Sequence, residues 1–128
     1  MALRADQTKM GLEAMDQALA WIERTGVRFM EAEMWRVRGE VLLAPDGPAR
    51  SRVDEAETCF QRALAVARTQ QARWLELRAA ASLARLWQEQ GQRAKGKELL
   101  AGIYGWFTEG FDIPDMVEAR DLLGELGA

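Results

Sequence analysis

Any catalytic chemistry in this chain would have to run on carboxylates, lysines, Tyr104 or Cys59, because histidine is absent. Without imidazole there is no usual Ser–His or Cys–His nucleophile pair, no general base tuned near neutral pH, and no common zinc site. Cys59 sits beside Phe60, partly on the packing side of a helix, and reads as a buried, inert thiol. Carboxylates cluster at Glu31/Glu33, Asp54/Glu55/Glu57 and Asp112/Asp115. The first two clusters fall at helix starts, where unsatisfied N–H groups and the dipole favour negative charge. Asp112-Ile113-Pro114-Asp115 reads as a turn followed by an N-cap. Gly102-Ile103-Tyr104-Gly105 lacks the lysine and the preceding strand of a phosphate loop. The expectation is a chain with no catalytic residues, no metal and no cofactor.

The elements that carry these residues are helices. Met15, Ala18, Leu19 and Ile22 recur at three and four, one buried face of a helix over 11–24 that Thr25-Gly26 ends. Residues 1–10 are a tail or a backward extension of that helix. A second helix is expected over 28–43. Residues 44–53 hold two prolines and a glycine and are read as non-helical. Asp54 then caps a third helix to Thr69, a fourth covers 73–90, and a fifth 93–107. A short sixth, opened by Asp112 or Asp115, ends near Leu126. No stretch reads as a strand, so the class is all-α, with residues 11–128 as one domain of about six helices.

Composition narrows the setting. With 128 residues, 48% of them apolar and five tryptophans, the chain has the length of about one domain and can bury a real core. Trp21, Trp35, Trp74, Trp87 and Trp106 stand at helical spacing among leucines and alanines and read as core. A net charge of −3 gives no electrostatic reason to expect nucleic acid. No apolar run approaches the ~18 residues of a membrane span, and the N-terminus lacks the apolar block of a signal peptide. One cysteine excludes an internal disulfide and fits a reducing compartment, so the expected address is the cytoplasm.

An internal repeat organises the helices. Residues 18–33 (ALAWIERTGVRFMEAE) lie over 63–78 (ALAVARTQQARWLELR) at a shift of 45, and a shift near 40 lays 54–60 over 94–100. Repeats of two helices imply a stack. Trp35 and Gly39 followed by Ala56, Phe60 and Ala63 form W-x3-G and A-x3-F, which resembles the tetratricopeptide pattern. A small residue on each helix lets the backbones approach while the aromatic fills the space beside them. The next unit, Leu83, Ala84, Trp87, Gly96 and Leu100, departs from it, with alanine and glycine exchanged and leucine for the aromatic. In the first unit Arg38 stands where leucine is usual. The resemblance implies antiparallel helix pairs in a right-handed stack.

In tetratricopeptide proteins the first helix of each pair lines a concave groove. Glu33, Arg36 and Glu40 on the second helix, and Arg78, Arg85, Gln88 and Glu89 on the fourth, recur at three, four or seven on that side. Arginines there would hold a peptide carboxylate through bidentate bonds. The other reading of this stripe is a solvated face stitched by i,i+4 pairs.

A narrower resemblance covers Tyr104–Leu123 (YGWFTEGFDIPDMVEARDLL) together with RFMEAEMWRVRGE. These segments are similar to the C-terminal helical-repeat region of large bacterial signalling proteins with class III adenylate/guanylate cyclase or AAA-type ATPase modules. The resemblance implies a non-catalytic scaffold or interaction segment with a protein or peptide partner. A stand-alone adaptor binding a peptide or small ligand is the alternative. Lastly, Leu3, Met10, Ala14 and Trp21, spaced seven, four and seven, make a second apolar stripe on the first helix. It is expected to be exposed and to form a two-fold homodimer.

Overall fold

The computed structural model describes residues 5–43 and 51–127. The three-and-four periodicity is realised as six helices: α1 (Ala5–Thr25), α2 (Glu31–Leu42), α3 (Ser51–Thr69), α4 (Arg73–Glu89), α5 (Arg93–Tyr104) and α6 (Pro114–Gly127). No strand occurs among the described residues, and the protein is all-α. Each helix packs on the next in chain order. Short connections such as residues 26–30, 70–72 and 90–92 make neighbouring helices antiparallel.

The turns explain where helices stop. Gly26 takes φ +75° and its N–H donates to the Ile22 carbonyl at 2.8 Å. The position 45 residues on, Gln71, takes the same left-handed conformation at φ +55° despite carrying a side chain. There the Ala72 N–H reaches back to the Ala67 carbonyl at 2.9 Å, closing the end of α3.

Several boundaries differ from the sequence reading. α3 begins at Ser51, so residues 51–53 are helical and Asp54 lies inside the first turn rather than capping it. The last breaker is Pro48, and Ser51-Arg52-Val53 contains nothing that stops a helix. α2 starts at Glu31, after the turn through Arg28. α5 ends at Tyr104, where the backbone turns through Gly105. Pro114 opens α6, the position where a missing N–H is harmless, so neither Asp112 nor Asp115 is its cap. Residues 44–50 lie outside the described residues.

α2, α4 and α6 pack on one another in succession and form an inner layer, while among the described residues the backbones of α1, α3 and α5 stay apart. α4 is the crowded element, packed against α2, α3, α5 and α6. Its alanines follow from that: Ala79, Ala80 and Ala84 are buried alongside Leu77 and Leu83. Phe60 is fully buried and meets Gly39, where an added Cβ would come within 2.5 Å of the ring. At the α4–α5 crossing the glycine sits on the other helix. A Cβ on Gly96 would lie 3.2–3.3 Å from the backbone and Cβ of Ala84. The exchanged alanine and glycine of the second unit therefore keep the close approach while moving which helix supplies the gap.

The tryptophans do not all enter the core. Trp87 is 5% exposed, but Trp21, Trp74 and Trp106 are 46%, 38% and 56% exposed. Periodicity cannot distinguish a position at the edge of the stack from one inside it. Trp74, in the first turn of α4, meets Phe107 edge-on, and Trp106 packs on Phe107 with the Arg73 guanidinium over its ring.

Candidate functional site

Equivalent positions on adjacent inner helices face each other, and three charges meet there. Glu33 on α2, Arg78 on α4 and Asp115 on α6 form one continuous rung. Arg78 donates to Glu33 at 2.9 Å and to Asp115 at 3.0 Å. The 45-residue shift that aligns Glu33 with Arg78 in sequence thus becomes a contact. From α4 to α6 the offset is 37 residues, as it is for Gln88 donating to Glu125 at 3.4 Å.

Arg36 clamps Glu33 with two bonds, 2.8 Å from Nε and 2.9 Å from Nη2, and reaches across to the buried Ser82 hydroxyl at 3.4 Å. Burial by itself would push the Glu33 carboxyl up. The hydrogen bonds from Arg36 and the charges of Arg36 and Arg78 outweigh it and hold Glu33 below the usual glutamate range. Arg36 is raised chiefly by its hydrogen bonds to Glu33. Glu40 stands 3.9 Å from Arg36, at the long end of an ion pair. Arg85 pairs with Glu118 on α6.

Around these groups lies a cavity of about 50 Å³, floored by Leu77, Ala81 and Ser82 and walled by Arg36, Arg78, Arg85, Asp115 and Glu118. That is room for a few waters. It opens beside a groove of about 590 Å³ along α6, bounded by Arg85 and Asp112, with Pro114, Val117 and Leu122 as its apolar floor.

Of the seven stripe residues, the structure gathers Glu33, Arg36, Arg78 and Arg85 at one place. Glu40 and Gln88 lie at its margins, and Glu89 is exposed at the end of α4. The residues missed by the sequence reading are Ser82, Asp115 and Glu118. The available signal was the spacing of Asp115 and Glu118, i and i+3 on α6, but their register against α4 needs the 37-residue offset.

The other candidates resolve as follows. Cys59 is buried, and burial raises its thiol pKa despite an Arg38 guanidinium 3.1 Å away. Arg38 also reaches Asp16 on α1 at 2.8 Å and Glu55 at 3.3 Å. At that usual leucine position, its stem and charge tie three helices together. Among the described residues no group of three or more acidic, Cys or His side chains is placed to hold a metal, and no helix is long and apolar enough to cross a membrane.

On α1, Ile22 is buried and Met15, Ala18 and Leu19 are half-buried. On the opposite side Met10 is 66% exposed and Ala14 and Trp21 are exposed with it. Leu3 lies outside the described residues. No family model matches this chain, and no curated protein or solved structure matches it.

Proposed function

We propose that this chain is a non-catalytic protein–protein interaction module of the tetratricopeptide-like kind. We read it as the C-terminal segment of a larger bacterial signalling protein with a cyclase or ATPase module, working in the cytoplasm. The observation that carries the interaction reading is the unbroken inner layer of α2, α4 and α6, joined in register by the Glu33–Arg78–Asp115 rung. A row of helices in register presents one elongated surface, and that surface suits an extended or helical segment of a partner. A cavity of about 50 Å³ is too small for a nucleotide or other drug-sized ligand. That argues against a small ligand held beside the Glu33–Arg78–Asp115 rung. The signalling assignment rests on the resemblance of Tyr104–Leu123.

Self-association through α1 is the second part of the proposal. Among the described helices α1 packs on α2, and Met10, Ala14 and Trp21 leave an apolar stripe with a tryptophan facing out. Such a patch on a soluble surface marks an interface.

Panning a random peptide display library on the chain tests the interaction reading. Selected peptides should share a motif and shift the amide resonances of Arg36, Ser82 and Arg85. Failure to enrich any motif, or shifts confined to α3 and α5, would count against it.

A further inference from the structure

The ledger of charges on the inner face determines which segment this surface can take. Each arginine that looked available in sequence already has a carboxylate: Arg78 has Glu33 and Asp115, Arg36 has Glu33, and Arg85 has Glu118. An incoming carboxylate would have to displace the half-buried Glu33 or Asp115, or the exposed Glu118. The groove along α6 has the opposite balance. Among the described residues Glu125 has no ion pair and accepts from the neutral Gln88 amide at 3.4 Å. Asp121 meets Arg120 at 3.4 Å, with both side chains more than 60% exposed, a geometry that neutralises little. Asp112 has no ion pair among the described residues. Beneath this rim lie Val117, half-buried, and Leu122, buried.

We infer that the α6 groove takes a cationic segment of a partner protein, with lysine or arginine side chains over Asp112, Asp121 and Glu125 and an apolar side chain on the Val117–Leu122 floor. This rests on the interaction-module reading above and names its partner class. Charge complementarity of this kind steers encounter and fixes register, while the apolar floor supplies burial. Asp121 and Glu125 are one helical turn apart, about 6 Å along the axis, so cations one turn apart on a bound helix would face both. Like charge in the ligand would meet the same carboxylates as repulsion.

The test uses two short synthetic helical peptides, read by fluorescence anisotropy against the full chain. One carries lysines at one-turn spacing on the same face as a leucine, and its twin carries glutamates in their place. The lysine peptide should bind, with affinity falling as salt is raised, and the glutamate twin should not. Asp121→Asn with Glu125→Gln should weaken binding by roughly tenfold and flatten the salt dependence. The remote exposed pair Glu13→Gln with Glu98→Gln should leave it unchanged. Equal losses in the two double variants would mean non-specific attraction and would overturn the groove. If the glutamate twin binds instead and Arg78→Gln with Arg85→Gln removes it, the interaction module stands and the cationic partner falls. If neither peptide binds and library selection also enriches nothing, both readings fall.

Discussion

The contact between Gly39 and Phe60 can be inverted by a second mutation, which makes it the sharpest test of the packing argument. Gly39→Ala should gain roughly 1 kcal/mol from helix propensity. Against that, the new methyl would lie 2.5, 2.8 and 3.0 Å from three ring carbons of Phe60, where ordinary contact begins near 3.4 Å. The ring must retreat by about 1 Å, and it is fully buried between helices. That puts the overpacking cost toward the upper end of the usual ~1–3 kcal/mol, so Gly39→Ala should destabilise by about 2 kcal/mol net. In a chain of this size that is roughly 6–10 °C in melting temperature. Phe60→Ala alone should cost about 3–5 kcal/mol through the cavity it leaves. In the Phe60→Ala background the clash is gone, and Gly39→Ala should stabilise by about 1 kcal/mol. Urea titration of the four proteins measures the coupling, which should come to about 3 kcal/mol. A Gly39→Ala variant as stable as wild type, or additive effects across the cycle, would refute the reasoning.

Four further outcomes follow from the same structure. Arg78→Met, which keeps the stem but removes both ion pairs of the rung, should cost about 1–2 kcal/mol, between exposed and buried pairs because Arg78 is 32% exposed; calorimetry reading a melting point within 1 °C of wild type would sink it. Because Glu33 is held below the usual glutamate range, its stabilisation is present above that range and is lost as pH falls through the lowered value. The gap between wild type and Arg78→Met should therefore be widest above about pH 5 and close on acidification. Gln71→Gly should stabilise by roughly 1 kcal/mol in thermal melts, since only the side chain opposes φ +55° there. Wild-type protein should sediment as a dimer at tens of micromolar and Met10→Glu with Trp21→Glu as a monomer; a monomeric wild type would rule the α1 dimer out.

How much of this was legible in the sequence depends on whether a feature is local or relational. The helix pattern was local, whereas the contact of Phe60 on α3 with Gly39 on α2 was legible because the W-x3-G and A-x3-F spacings name both partners. The Glu33–Arg78 contact was present as an alignment, because repeat-equivalent residues become neighbours in a stack. The third member of that rung was hidden by a change of offset from 45 to 37 residues, since α5 has 12 residues where α3 has 19 and the connections on either side differ in length. Trp74 and Trp106 were misplaced for a related reason: their spacing is right for a core, but Trp74 lies in the first turn of α4 and Trp106 just beyond the end of α5, where packing is incomplete. Asp54, Asp112 and Asp115 looked like caps because capping chemistry is common to many positions. What decided the outcome was a helix free to start three residues earlier at Ser51, and a proline better suited to open α6.

The two ends of the stack differ in a way that joins the two interaction readings. Among the described helices α1 packs on α2 and turns Met10 and Trp21 outward, whereas α6 packs on α4 and α5 and lines its groove with Glu118, Asp121 and Glu125. An apolar face and an acidic rim do not complement each other, so copies of this chain have no reason to join α1 to α6 in an open filament. The arrangement proposed above is like on like, α1 against α1 about a two-fold axis, which would close after two copies. Such a dimer leaves both α6 grooves free. A partner bearing two cationic segments would then engage both at once, and the second contact would strengthen binding by linkage rather than by new chemistry. Breaking the α1 interface with Met10→Glu and Trp21→Glu would leave the affinity of a single lysine peptide unchanged. It would remove only the gain for a tandem peptide whose linker spans the two grooves. Equal loss for both peptides would place the binding surface on α1 instead.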